Sequence, residues 1–198
     1  MKKICICILL LLTTGCSVAR IDTNKIDTIT KAVLSKNNTL YNRIGKGYKY
    51  YKPRGVSYID TSELNDVLYS KGNYYYLYID AVGYYYKTKI KYEENKDAYY
   101  SKKLDGGYIE ILEQNGRYHI TFVYNYAKIE AVVKKEDINN VILDATYILS
   151  TIKYNDKIIA VMLNDEYFIN REEQYNKFKK KEEATNSFTL KYTEETEK

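Results

Sequence analysis

The chain of 198 residues offers few side chains for nucleophilic or metal chemistry. It has one histidine, His119, and its three cysteines are Cys5, Cys7 and Cys16. His119 stands in the middle of RYHITFVY, whose alternation of polar and apolar residues is typical of a strand. The chain has no Gly-x-Ser-x-Gly sequence, the turn on which many hydrolases expose a serine nucleophile. We therefore expect His119 to be a strand residue and predict no catalytic residue, metal site or cofactor.

Paired carboxyl groups are the remaining source of chemistry. Two of them, roughly 5–10 Å apart, are sufficient to hydrolyse a glycosidic bond. The candidates are Asp105, Glu110 and Glu113, around a predicted hairpin. Glu110 and Glu113 should point to opposite faces of one strand, which weakens them as a catalytic pair. We therefore expect that the protein is not an enzyme. A carboxylate-dependent hydrolase of the cell envelope is an alternative.

The N-terminus, MKKICICILLLLTTGCSVAR, has the layout of a secretory signal. Lys2 and Lys3 precede an uninterrupted apolar run over residues 4–12, which small residues follow. A helix that spans a bilayer needs roughly 20 apolar residues, about twice the length of this run. We therefore predict that residues 1–15 are a signal peptide and that the rest of the chain is exported.

Residues 14–17 (TGCS) resemble the lipobox of bacterial lipoproteins, although Thr13 stands where that family prefers leucine. The resemblance implies that the Cys16 thiol receives a diacylglycerol and that cleavage occurs just before it. Two acyl chains hold a protein stably on a bilayer. The expected location is the extracytoplasmic face of the cell membrane, with membrane lipid bound through Cys16. The mature domain would then contain no thiol and no disulfide.

Composition narrows the class of partner. The 31 Lys and Arg residues only slightly exceed the 26 Asp and Glu residues, which does not indicate a nucleic-acid-binding protein. The chain contains 25 tyrosines and no tryptophan. Tyrosine fills strand positions well, and consecutive strand residues point to opposite faces, so tyrosine runs such as 74–76 and 84–86 should place some rings outside the core. The candidate binding residues are Tyr50, Tyr51, Arg54, Tyr75 and Tyr85.

Periodicity predicts the elements that would carry these side chains. A helix capped by Asp22 or Thr23 should precede a series of strands, because the apolar period changes from about 3.6 to 2. Asn115-Gly116 between alternating runs is a strong hairpin signal. The predicted hairpins and strands cover residues 64–80, 84–92, 108–126, 127–134 and 158–163, and a packing helix covers about 137–152.

The sum is an α+β protein with a mostly antiparallel, tyrosine-rich sheet. We expect a lipidated tether over residues 16–23, a single domain over 24–169 and a charged, partly disordered tail over 170–198. The predicted role is a membrane-anchored domain that binds an envelope protein or polymer and no nucleic acid. The two alternatives are the hydrolase and an accessory subunit of a membrane complex.

Overall fold

The computed structural model describes residues 22–62 and 64–164, which form an α+β fold. The helices are α1 Ile26–Leu34, α2 Ala81–Tyr85, α3 Ile138–Ser150 and α4 Asp156–Asn164. The strands are β1 Arg43–Ile44, β2 Tyr48–Tyr50, β3 Ser57–Ser62, β4 Asn65–Ser70, β5 Asn73–Ile79, β6 Tyr100–Leu104, β7 Gly107–Gln114, β8 Arg117–Tyr124, β9 Ala127–Val133 and β10 Lys153–Tyr154. The predicted signal peptide and the tail beyond residue 164 lie outside the described residues, as does most of the tether.

Seven strands form one sheet in the order β3-β4-β5-β9-β8-β7-β6, and all neighbours in it are antiparallel. Because β6 lies at the edge far from β5, the chain must cross the sheet between them. We call residues 86–99 the crossing segment. Both residues of the Asn115-Gly116 turn have positive φ, as its sequence predicts, and Asn125-Tyr126 forms a second turn of this kind.

One face of the sheet, the inner face, packs against α1 and α3. Alternate strand residues such as Ile111, Ile120 and Ile129 are fully buried there. The predicted apolar stripe of α3 is confirmed, and its residues Ile138, Val141, Ile142, Ala145 and Leu149 are buried. Burying one such aliphatic side chain contributes roughly 1.5–3 kcal/mol, so this layer is a major source of stability.

Helices α1 and α3 run side by side in the same direction. The side-chain amide of Asn139 donates to the carbonyl oxygen of Asn24 at 3.1 Å, which joins the beginnings of the two helices. Tyr100 and Lys102 of β6 contact the carboxylate of Asp27 near the same place. We call this the entry end of the molecule, because the described chain begins there.

A smaller antiparallel sheet, β1-β2-β10, covers the other end. Tyr48 and Tyr50 point from it into the core, and the Tyr50 hydroxyl donates to Asp66 Oδ2 at 2.7 Å. The guanidinium of Arg43 lies 3.5 Å from the centre of the Tyr58 ring. The small sheet thus closes the core with tyrosines whose hydroxyl groups are buried with them.

Two predicted strands are wrong. Residues 84–92 instead form the end of α2 and the start of the crossing segment, because Asp80 accepts the Gly83 N–H at 2.7 Å and begins a helix directly after β5. Residues 158–163 belong to α4, whose Ile159 and Met162 are buried while Ile158 and Val161 are exposed. A short apolar run fits a strand or a helix equally, and here tertiary packing selects the helix.

The other predicted elements are confirmed, with one change at α1. The predicted hairpins, the strand over 127–134 and the packing helix occupy the places expected of them. The predicted cap of α1 by Asp22 or Thr23 is wrong, because Lys25 is the N-cap residue and makes no side-chain cap bond. No helix within residues 22–62 and 64–164 is long and apolar enough to cross a membrane.

Candidate functional site

A cleft of about 720 Å³ opens at the end opposite the entry end. We call this the cleft end. It lies where α1 and α3 finish, beside the turns that join β6 to β7 and β8 to β9. Its lining comes from residues 34–37, 88–90, 103–107 and 124–126, with Ser150 and Lys153. Its volume falls within the range of roughly 300–1,000 Å³ that ligand sites occupy.

The inner part of the cleft is formed by tyrosines on tightly paired strands. Burial, and then the nearby Asp105 carboxylate, raise the pKa of Tyr124 above its usual value, so its hydroxyl stays protonated. Tyr124 lies opposite Gly107 in the β7–β8 pair. A Cβ atom at Gly107 would lie 1.9 Å from the Val123 carbonyl oxygen, so only glycine fits there. The cleft therefore has a rigid floor at this point.

The Asn125-Tyr126 turn is held in its left-handed conformation by tertiary contacts. This conformation costs roughly 1–2 kcal/mol per residue for residues other than glycine. The Tyr154 hydroxyl lies 2.9 Å from the Asn125 carbonyl oxygen and 2.7 Å from that of Tyr126. The Asp80 N–H donates to the same Tyr126 oxygen at 2.9 Å. Two residues distant in sequence, Asp80 and Tyr154, thus hold this turn, and it is pre-organised.

Stacked aromatic rings support the turn from below. The Tyr84 ring stacks on Tyr154 at 3.9 Å between centroids and meets Tyr126 edge-on at 5.6 Å. The Tyr84 hydroxyl donates to Asp156 Oδ1 at 2.7 Å. Burial of Tyr84, and then its bond to the Asp156 carboxylate, raise its pKa to about 12. The tyrosine therefore acts as a neutral donor that joins α2 to α4 beneath the cleft.

The crossing segment supplies one wall through residues 88–90, and Tyr92 fixes it to the sheet. The Tyr92 ring stacks on Tyr108 at 3.9 Å and 3° between planes. Its hydroxyl lies 3.0 Å from Glu110 Oε2 and 2.7 Å from Ser101 Oγ. Glu110 is buried beneath it, so this carboxyl group has a positioning role in the structure.

Replacing Tyr92 by phenylalanine should loosen this wall. The variant keeps the stacked ring but leaves a buried carboxylate without its donor, which costs about 1–2 kcal/mol of unfolding free energy. We expect faster hydrogen exchange over residues 86–99, measured by mass spectrometry beside a denaturation curve. Tyr86→Phe is the control, because Tyr86 is 68% exposed. Unchanged exchange in the Tyr92 variant would contradict the assigned role.

The rim of the cleft is positively charged. Lys36, Lys89, Lys103 and Lys153 line it against a single acidic residue, Asp105. All four lysines are exposed, and none forms a salt bridge with another described residue. The Glu94 carboxylate is close by but is bound to the backbone N–H of Lys103 at 3.0 Å. Since the whole chain carries 31 basic and 26 acidic residues, the four-to-one ratio here is a local enrichment.

The residues predicted to bind do not line this cleft. Tyr50 and Tyr75 are 0% and 1% exposed, so these two candidate binding residues lie in the core and present no surface to a partner. Each points inward because its hydroxyl reaches a carboxylate: Asp66 for Tyr50, and Asp144 at 3.1 Å for Tyr75. A third tyrosine, Tyr51, is half-buried.

The other predicted site residues have different surroundings. Arg54 is exposed in the turn before β3, and Tyr85 is 44% exposed on α2. The backbone N–H of Tyr51 donates to Thr151 Oγ1 at 2.9 Å, which ties the small sheet to the end of α3. Cys16 lies outside the described residues.

The three candidate carboxylates do not converge. Asp105 is exposed at the cleft, Glu110 is buried under Tyr92, and Glu113 lies three residues further along β7, toward the entry end. Within residues 22–62 and 64–164, no three His, Cys, Asp or Glu side chains lie close enough together to hold a metal ion. The arrangement at the cleft can donate hydrogen bonds and attract anions, and its tyrosines can contact apolar surfaces of a ligand.

His119 occupies the predicted strand position, on the outer face of β8 and away from the cleft. Partial burial, with a smaller contribution from Arg117, lowers its pKa below the usual 6.5. The unfolded chain therefore takes up the proton first as pH falls. The stability from neutral His119 is present above pH 6.5 and is lost as pH falls through the folded-state pKa.

This pKa shift predicts a pH-dependent difference in stability. Between pH 7 and pH 5, the wild type should lose more unfolding free energy than His119→Gln, whose side chain does not titrate. Urea unfolding at both pH values measures the difference between the two proteins. Equal losses would contradict the assigned surroundings of His119.

No family model matches this chain, and comparisons with curated proteins and with solved structures find no match either.

Proposed function

We propose that this chain is the extracytoplasmic domain of a lipid-anchored membrane protein and that it binds a polymer of the cell envelope in its cleft, without catalysis. The observation that carries the proposal is the cleft itself, in which a rigid tyrosine floor lies beneath exposed lysines. Tyrosine combines an apolar ring with a polar hydroxyl, which suits the faces of sugar rings and polyols. The TGCS sequence at residues 14–17 supports the anchor.

The position of the cleft agrees with this role. The described chain begins just before α1 at the entry end, and the cleft is lined by residues that follow α1 at its other end. The nine residues of α1 rise about 14 Å, at 1.5 Å per residue. An anchor at Cys16 would thus hold the cleft beyond the far end of this helix, where an extended polymer can enter.

Binding of envelope polymer by the full-length purified protein tests the proposal. Purified cell-wall material is incubated with the wild type and with Tyr124→Leu, which keeps an apolar side chain but removes the hydroxyl and the ring. We expect at least a tenfold weaker association for Tyr124→Leu. Tyr74→Leu is the matched control, because Tyr74 is 50% exposed on the outer face of β5, away from the cleft.

The other outcomes have clear meanings. If Tyr74→Leu weakens binding and Tyr124→Leu does not, the outer face of the sheet is the binding site and the cleft is not. If the wild type degrades the polymer and Asp105→Asn, which changes the carboxyl group in the cleft lining, does not, the protein is a hydrolase. If no envelope polymer binds to the wild type, the proposed function is wrong.

A further inference from the structure

We propose that the cleft selects a phosphodiester-linked polymer, a chain of polyol or sugar units joined by phosphate groups. This inference rests on the proposed function and names the chemistry of its ligand. It starts from the four lysines around the cleft, Lys36, Lys89, Lys103 and Lys153, of which none forms a salt bridge within the described part of the chain. Such a rim attracts negative charge, because its four lysines outnumber the Asp105 carboxylate in the lining and the Glu94 carboxylate that accepts the Lys103 N–H.

The lysines come from four separate elements. Lys36 follows α1, Lys89 belongs to the crossing segment, Lys103 to β6 and Lys153 to β10. Four separate parts of the chain thus each bring one positive charge to the same cleft. A single small anion contacts only some of them, whereas a polymer with repeated charges contacts several at once. Affinity should rise with the number of repeats because each further contact is intramolecular.

The type of cation suits phosphate groups carried on a flexible chain. Arginine binds carboxylate and phosphate alike through two parallel hydrogen bonds of fixed geometry, whereas lysine binds phosphate as a compact point charge that does not fix the orientation of the group. The cleft lining contains four lysines and no arginine. Tyr124 and Tyr126 are half-buried at the floor of the cleft, where they would contact the polyol or sugar unit between two phosphates.

Equilibrium binding to the full-length lipidated protein in phosphatidylcholine nanodiscs tests the inference. The probes are synthetic poly(glycerol phosphate), polygalacturonate as a carboxylate polymer, and dextran as a neutral polymer. We expect poly(glycerol phosphate) to bind at least tenfold more tightly than either of the others. The affinity should fall as salt is raised, because exposed charges are screened.

Paired substitutions separate the cleft from the overall charge. Lys89→Gln/Lys153→Gln should weaken binding of poly(glycerol phosphate) at least tenfold. The control, Lys25→Gln/Lys134→Gln, removes the same charge from two exposed lysines that do not line the cleft. Thermal unfolding of both variants shows whether each is folded.

Other results of these binding experiments would contradict the inference, and they differ in what they imply for the proposed function. Equal binding of dextran, unaffected by the lysine substitutions, would overturn the phosphate assignment and leave the proposed function in place. Equal binding of polygalacturonate would overturn the preference for phosphate. Equal losses in the two lysine variants would show non-specific attraction. Binding to phosphatidylglycerol vesicles but to no polymer, or binding to none of these probes, would overturn both the inference and the proposed function.

Discussion

Replacing Cys16 by serine is expected to leave residues 1–15 attached and the protein without lipid. The reason is chemical: the resemblance of residues 14–17 to a lipobox assigns acylation to the Cys16 thiol, and a serine hydroxyl is a much weaker nucleophile than a thiolate. Since cleavage in that family follows acylation, one substitution should block both steps.

Intact mass and membrane fractionation of native protein measure this effect. The wild type should begin at Cys16, carry the mass of a diacylglycerol and leave the membrane only in detergent. Cys7→Ser is the matched control, because Cys7 lies in the apolar run of the signal and should be removed with it. A soluble wild type, or one that retains residues 1–15, would contradict the lipid anchor and remove the main support for a partner in the envelope.

Replacing Gly107 by alanine should have the largest effect on stability within the domain. The new Cβ would lie 1.9 Å from the Val123 carbonyl oxygen and 2.8 Å from the Tyr124 Cα. Both obstacles are backbone atoms of the paired strand β8, so no side-chain rotation relieves the clash. We expect a loss of about 3 kcal/mol of unfolding free energy, at the upper end of the usual cost of overpacking. The melting temperature should then fall by roughly 6–12 °C.

Gly116→Ala is the control for this experiment. Gly116 has a positive φ of 71°, but no atom lies within 4 Å of its added Cβ. Alanine at this position should therefore cost only the roughly 1–2 kcal/mol of the left-handed backbone conformation. Thermal and urea unfolding, followed by circular dichroism, compare the two variants. If Gly107→Ala is no less stable than Gly116→Ala, the close approach of β7 and β8 beside the cleft is not as described.

The sequence was most informative where local chemistry alone decides the structure. Asn115-Gly116 specified a hairpin because both of its residues tolerate positive φ. The stripe from Ile138 to Leu149 specified α3 because helical spacing brings these residues onto one face. The two wrongly predicted strands, at residues 84–92 and 158–163, occur where packing against other elements chooses between helix and strand.

The candidate site was less accessible to sequence reasoning, and the tyrosines show why. Alternation correctly implied that tyrosines occupy both faces of the sheet, but it could not tell which rings a neighbouring element covers. The hydroxyl groups of Tyr50 and Tyr75 have carboxylate partners, the buried Asp66 and the partly buried Asp144, and this makes a core position tolerable for a polar side chain. The one local signal for the cleft was Asn125-Tyr126 between two alternating runs, which marks a turn but indicates no ligand.

By itself, then, the sequence determined the α+β class, the central hairpins and the helix that covers the sheet, because each depends on residue spacing over short distances. The export signal stays a prediction from residues 1–16. The tertiary structure alone decided that Lys36 and Lys153, more than a hundred residues apart, line one cleft. It also decided that Tyr154 holds the Asn125-Tyr126 turn. Such contacts join segments that are far apart in the chain, and no local sequence pattern marks them. They form only when α1 and α3 have packed on the sheet.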